Sequence, residues 1–374
     1  MAQKITHYLL IALVLSLGFG QLLRFEYFGV PIYLHDVLVL CLLLFLLQRS
    51  VLKRKTWLQA KLGSAAAERT DLYGTFGFRI FLISLALGWF FALLHYPITQ
   101  LLVPTLYTLR LLAYIALYLV LKQSKIKITF IYFLIGGMVQ LFIGLIQYFF
   151  LPDMRVFQYL GWDDHLSRLT LPHFDPTFTA VMLGLFVLTL KRSQWFIGVM
   201  VLWSILLTYS RSAWLSLVLT ALLFIKNTKI FLISLFLFLI CITFWLPKKF
   251  GEGTNLLRTY SITSRFESDL AYIQKYKWDL LVGRGMNTLI LDAPSIDVPN
   301  HASGPNNSYL YLLATTGILG LAGWGIFMFS LYTRSAHKPM MIFFFIASLF
   351  NNVMFYPFAL LWVLLVESTV PTSA

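Results

Sequence analysis

Apolar runs of bilayer length follow one another along almost the whole 374-residue chain, at 8–23, 34–48, 79–95, 98–121, 128–151, 174–190, 194–209, 212–225, 229–246, 307–332 and 339–366. A spanning helix needs roughly 20 apolar residues, so the expected fold is an all-α polytopic membrane protein with 11–12 transmembrane helices in a single domain over 1–374. The count is open because Asn351, Asn352 and Pro357 interrupt the last run, which reads as one helix or two. Composition agrees: 59% of residues are hydrophobic and 12% charged, against about a quarter charged in soluble domains. The two cysteines, Cys41 and Cys241, both lie in apolar runs, which excludes a disulfide framework, a cysteine metal site and redox chemistry. No small-residue cleavage site follows the first run, so it reads as a retained helix.

The net charge of +14 has a simple cause in a membrane protein, the retention of Lys and Arg on the cytoplasmic side. With the N-terminus inside, the cytoplasmic segments collect sixteen of the 29 positive charges, among them Arg49 to Arg69, Lys122 to Lys127, Lys191, Arg192, Arg334 and Lys338. The acids in those segments are only Glu68 and Asp71. This orientation makes 152–173 and 247–305 the two large outer loops. A long unstructured connection is unusual, and the second loop supplies a helix: Ser264 and Glu267 have capping-box spacing, followed by Phe266, Leu270, Ile273 and Lys277 at helical intervals.

An Arg at bilayer depth costs a few kcal/mol, so each one needs a purpose. Arg211, in Thr208-Tyr209-Ser210-Arg211-Ser212, divides two short apolar runs and reads as a residue at an outer helix break facing a cavity, with snorkelling to headgroups as the plainer alternative. Arg110, in the fourth run, divides between a lipid-phosphate contact and a structural partner for a backbone carbonyl. The outer loops add Arg168, Arg258, Arg265 and Arg284, with Lys248 and Lys249 at the membrane edge. Guanidinium groups grip phosphate oxygens bidentately, which suits a lipid with a phosphate or pyrophosphate head. For Arg258 and Arg284 simple pairing with loop acids is favoured.

His301, in Asn300-His301-Ala302-Ser303-Gly304-Pro305, stands just before a spanning helix, where an imidazole serves as general base at the membrane surface. Asp163, Asp164, His165, His173 and Asp175 carry metal-type donors, but their spacing matches no specific motif. The favoured reading has no metal and no cofactor, and makes Asp175-Pro176 the N-cap of the sixth helix. Asp36, before Val37 to Leu47, also reads as a helix cap and not as a proton relay.

Taken in order, Gly20-Gln21, Asp36, Arg168 before Asp175-Pro176, Ser210-Arg211-Ser212, Ser264-Arg265, Gly283-Arg284-Gly285, and His301 through Asn307-Ser308-Tyr309-Leu310 to Thr316-Gly317-Ile318-Leu319-Gly320 resemble the O-antigen ligase and polymerase family of bacterial membrane glycosyltransferases. The resemblance runs over most of the chain. It implies a metal-independent, inverting transfer of a glycan from a polyprenyl-pyrophosphate carrier to an acceptor hydroxyl at the outer face of the cytoplasmic membrane. Carried over, Arg211, Arg265 and Arg168 bind the pyrophosphate and His301 is the base, with Arg110, Asn307 and Arg284 as secondary candidates. The partners implied are the lipid-linked donor, a glycan, lipid or protein acceptor, and the bilayer, with no nucleic acid. In many members the His directly precedes the Asn-Ser-Tyr-like segment; here Asn306 stands there and His301 lies five residues earlier. Either a longer local loop brings His301 to the same point or the chain works without that base. The rival from another class is a transporter or flippase for a phosphate-bearing lipid, with Arg110 in its passage, although no repeat of 20–50 residues marks a duplicated transporter.

Overall fold

The computed structural model of the chain describes residues 2–27, 30–57, 72–124, 126, 128–225, 252–256, 259–292 and 304–369. It is 77% helical, and the chain is an all-α membrane protein. Eight apolar helices come first: α1 (Ala2–Gly18), α2 (Leu34–Trp57), α3 (Leu72–His95), α4 (Leu102–Ser124), α5 (Phe130–Phe150), α6 (Pro176–Thr189), α7 (Trp195–Leu207) and α8 (Arg211–Phe224). An amphipathic helix α9 (Tyr260–Lys275) and a single turn α10 (Asp279–Val282) follow, then α11 (Ser308–Arg334), α12 (Lys338–Phe350) and α13 (Pro357–Ser368). The long last run is therefore two helices, since the Asn351-Asn352 pair and Pro357 break it. Segments of α3, α4, α5 and α11 are long and apolar enough to cross a membrane unaided, and seven shorter apolar helices accompany them. The run over 229–246 lies outside the described residues, as do Lys248, Lys249, Arg258 and His301.

Two local expectations change, and one element is additional: a small antiparallel hairpin, β1 (Arg24–Tyr27) and β2 (Val30–Tyr33), connects α1 to α2. The capping-box pair Ser264 and Glu267 does not start its helix, because α9 begins four residues earlier at Tyr260 and places both residues inside it. Asp36 is not the N-cap of α2 but its third residue, reaching back to accept from the Tyr33 N–H at 3.0 Å, the return half of a capping box.

The centre of the bundle is α13. A helix apolar on every face must be enclosed by others, and Phe358 through Val366 are all buried. Phe133 of α5 and Phe186 of α6 meet the Trp362 ring edge-on. Outward-facing Leu44, Phe90, Leu94, Ile146, Trp195, Phe196 and Leu223 leave an apolar exterior, the surface a bilayer covers. Between α3 and α11 the backbones touch at Gly77 and Gly323, where an added Cβ would lie 2.7 Å from the Phe327 nitrogen or 2.6 Å from the Phe81 nitrogen. Small residues at such contacts let dispersion act along two helices in lipid.

The two ends of the bundle differ in chemistry. At one end Lys191 lies over Phe130, Lys338 over Tyr332, and Ser335 donates to Glu367 at 2.6 Å. This end carries Lys122, Arg192 and Arg334 as well. At the other end stand the hairpin, the loop 152–175, α9 and the N-termini of α6, α8, α11 and α13. A break in α11 ties α10 and the Gly283-Arg284-Gly285 segment to that end. Gly317 adopts φ 69° and ψ −175°, and the backbone N–H groups of Arg284 and Gly285 donate to the carbonyls of Ala314 and Thr315 at 3.0 and 2.9 Å. The freed helix carbonyls are thus satisfied by a second segment, as a membrane interior demands.

Candidate functional site

Helix N-termini leave backbone N–H groups without intrahelical partners, and those of α6, α8 and α11 gather at the end of the bundle opposite Lys191 and Lys338. Asp175 caps α6, its Oδ1 accepting from the Thr177 and Phe178 N–H groups at 2.7 and 2.8 Å, as its place before Pro176 predicts. Asn307 caps α11 in the same manner, accepting from Tyr309 and Leu310 at 2.9 and 3.2 Å. The α8 terminus is Ser210-Arg211-Ser212, where Tyr209 at φ 54° turns the chain sharply out of α7.

Arg211 and Arg265 come together across this end through a short chain of contacts. Arg265 of α9 donates to the Phe350 carbonyl at 3.2 Å. The next residue, Asn351, donates from Nδ2 to Ser212 Oγ at 3.2 Å. Ser212 adjoins Arg211, whose Nη1 donates to the Leu256 carbonyl at 3.0 Å. Ser308 at the start of α11 joins the chain by donating to the Asn351 carbonyl at 3.0 Å. Burial is the main cause of an Arg265 pKa below its usual value; Asp175 and Asp269 oppose the fall and Arg211 adds to it. Asp269 is committed in part, because the Asn306 N–H and Arg265 both act on a carboxyl that burial pushes upward.

The remaining sequence candidates take other places. Arg168 is buried and donates from Nε to the Thr208 carbonyl at 2.9 Å, so it braces the turn that presents Arg211. Gln147 anchors the same loop, accepting from the Thr170 N–H at 2.8 Å and donating to the Arg168 carbonyl at 3.1 Å. Arg284 is caged by Asp279 at 3.1 Å, Asp292 at 3.4 Å and the Tyr96 hydroxyl at 3.0 Å. Arg110 pairs with Asp36 at 3.0 Å, donates to the Pro31 carbonyl and lies between the Tyr33 and Tyr107 rings. Asn351, Ser212 and Ser308, which link the two site arginines, were not sequence candidates. The Asn351-Asn352 pair inside an apolar run was the available signal.

Of the five metal-type residues, Asp163, His165 and Asp175 place one donor atom each within 4.8 Å of one another. Asp163 is exposed, and Asp175 has Oδ1 engaged in capping. His165 has its pKa lowered, first by burial, with Asp175 opposing and Arg168 adding. His173 is separate from them: its Nδ1 lies 2.8 Å from the Tyr356 hydroxyl, which also accepts from Gln21 at 3.4 Å. Burial, with His35 nearby, pushes its pKa down to about 3. No protein-family profile matches the chain, and no curated protein matches it significantly.

Proposed function

We propose that the chain is a metal-independent membrane glycosyltransferase that transfers or polymerises a polyprenyl-pyrophosphate-linked glycan onto an acceptor hydroxyl, at the outer face of a bacterial cytoplasmic membrane. The observation that carries this reading is the pairing of Arg211 with Arg265 among helix N-termini at the end of the bundle opposite Lys191, Arg192 and Lys338. Two guanidinium groups and the positive ends of α8 and α11 suit an anion of more than one charge. The apolar exterior beside them suits a lipid tail.

A sugar on diphosphate is already activated, so the protein needs to orient the acceptor, take its proton and stabilise charge on the departing diphosphate. Arg211 and Arg265 fill the last role, and removal of one preorganised donor typically costs ~100-fold or more in rate. His301 is proposed as the base, on the strength of the family resemblance and its place before α11. The carbonyls of Leu256 and Phe350 hold the two arginines in place.

The test is release of polyprenyl diphosphate from a labelled glycan carrier by the purified protein in liposomes. The wild type is expected to release it, and Arg211→Ala and His301→Ala to lose the activity while still inserting. A carrier left intact by the wild type indicates lipid transport instead, and full product from both variants overturns the assignment of the site.

A further inference from the structure

The amphipathic helix α9 has three faces, not two. Arg265, Tyr272 and Tyr276 turn toward the bundle: Arg265 donates to the Phe350 carbonyl at 3.2 Å, Tyr272 stacks on Tyr276, and the Tyr276 hydroxyl donates to Asp292 at 2.9 Å. Glu267, Ala271 and Gln274 form an exposed polar face. Between the two runs a bare apolar stripe of Phe266, Leu270 and Ile273, with Phe266 70% exposed. Trp278, 78% exposed, and then Leu281 and Val282 carry this apolar surface into α10. A helix at the edge of a soluble fold buries its apolar face. One with an inward face, a water face and an uncovered apolar stripe between them fits the line where protein, water and lipid meet.

The length of α11 sets the level of that line. The helix runs 27 residues from Ser308 to Arg334, about 40 Å at 1.5 Å per residue, which exceeds the roughly 30 Å of hydrocarbon it has to cross. Arg334 stands at the basic end of the bundle. Counting back the roughly 20 residues that cross the hydrocarbon places the opposite boundary near Ala314 and Thr315. Their carbonyls are the ones that accept from the Arg284 and Gly285 N–H groups at 3.0 and 2.9 Å. The α10 turn is therefore fastened to α11 where acyl chains give way to headgroups. Leu281 and Val282 touch the Gly317 backbone, next to the outward-facing Ile318 and Leu319 of the spanning helix. Exposed Lys277 and Trp278 are residue types that anchor at headgroup level.

We propose that α9 and α10 form an in-plane element seated in the headgroup layer of the leaflet at this end, with Phe266, Leu270, Ile273, Trp278, Leu281 and Val282 against lipid. Lipid is the occupant, and not another protein chain, because the stripe continues without a polar break into the bilayer-covered surface of α11. Arg265, on the inward face of the same helix, is thereby held at the depth of lipid phosphates. Its use there on a lipid-borne diphosphate rests on the transfer reaction proposed above; the seating of α9 and α10 does not.

Electron paramagnetic resonance on the full chain in nanodiscs of phosphatidylcholine and phosphatidylglycerol tests it, with single nitroxide labels in a Cys41→Ser, Cys241→Ser background. Leu270→Cys, Ile273→Cys and Trp278→Cys place labels on the apolar stripe, and Glu267→Cys and Ala271→Cys place them on the polar face. All five are exposed side chains, where replacement is tolerated. The stripe labels are expected to be relaxed by oxygen and shielded from nickel ethylenediaminediacetate, and the polar-face labels the reverse, so that the oxygen-to-nickel ratio differs severalfold between the two sets. Equal ratios would put α9 in water and overturn the seating. Stripe labels shielded from both reagents also overturn it, since a second copy or another protein then covers the stripe. Carrier release measured on the same samples separates the two readings: its failure with the accessibility pattern intact counts against the transfer reaction and leaves the seating standing.

Discussion

Arg265 donates to the carbonyl of Phe350 at 3.2 Å, so the amphipathic helix α9 is latched onto the end of α12, beside Asn351. The same bond holds the guanidinium near Arg211 and uses only one of its donors. A Lys here keeps the charge but cannot hold the carbonyl and a bidentate phosphate together. Arg265→Lys is accordingly expected to lower turnover by ~100-fold with the fold intact, and Arg265→Ala to lower it further. Steady-state release of polyprenyl diphosphate measures both, and a Lys variant with wild-type turnover would show that only charge matters.

The break in α11 gives a second expectation. Gly317 sits at φ 69°, and an added Cβ would lie 2.5 Å from the Leu281 carbonyl oxygen. The left-handed conformation costs a side chain roughly 1–2 kcal/mol and overpacking adds about 1–3 kcal/mol. Gly317→Ala should therefore lower the thermal unfolding midpoint in detergent and loosen 281–285 in hydrogen exchange. Unchanged exchange there would detach the break from the loop.

How much of this was legible depends on how local each signal is. Asp175 before Pro176 announced its cap, because both residues act on the backbone beside them. The Asn351-Asn352 and Pro357 break was visible for the same reason. Among the arginines, pairing with loop acids was the favoured reading for Arg284 and is found with Asp279, and a backbone-carbonyl partner was one of two readings for Arg110 and is found in Pro31; Arg168, Arg211 and Arg265 look alike as isolated charges. What separates them is a partner far away in the chain, such as Asp36 for Arg110 or Thr208 for Arg168. The start of α9 was misplaced because Ser264 and Glu267 have the spacing of a cap, and spacing alone does not exclude one more helical turn before them.

Acid should loosen the loop that precedes α6. Burial lowers the His173 pKa to about 3 and also lowers that of His165. In the unfolded chain both take protons near pH 6.5, so the unfolded state binds more protons below that point. Their contribution is complete above pH 6.5 and is lost as pH falls toward the folded values, by up to about 1.4 kcal/mol per pH unit for each proton. Unfolding midpoints between pH 7 and 4 should fall, and His173→Gln should flatten the slope. An identical slope in that variant would place the titrating group elsewhere.

The Asp163, His165 and Asp175 donors invite a direct check. Asp163 is exposed, and its replacement by Asn should change stability by no more than about 0.5 kcal/mol. Because the arginines provide the charge that faces diphosphate, EDTA followed by desalting is expected to leave carrier turnover unchanged. A loss restored by Mn²⁺ or Zn²⁺, and absent in Asp163→Asn, would instead assign a cation to these donors.

The pairing of Asp36 with Arg110 makes the last expectation. Asp36 accepts from Arg110, from the Tyr114 hydroxyl and from the Tyr33 N–H, which joins the hairpin, α2 and α4 at one buried carboxylate. Removing one partner of a buried pair strands the other charge and costs about 3–5 kcal/mol. Asp36→Asn should therefore be strongly destabilising, as should Arg110→Gln. Both together should cost clearly less than the two single effects added, because no charge then remains without its partner. Unfolding by SDS titration of the four proteins gives the coupling. Additive effects would mean that the two side chains act independently and that Asp36 does not neutralise Arg110.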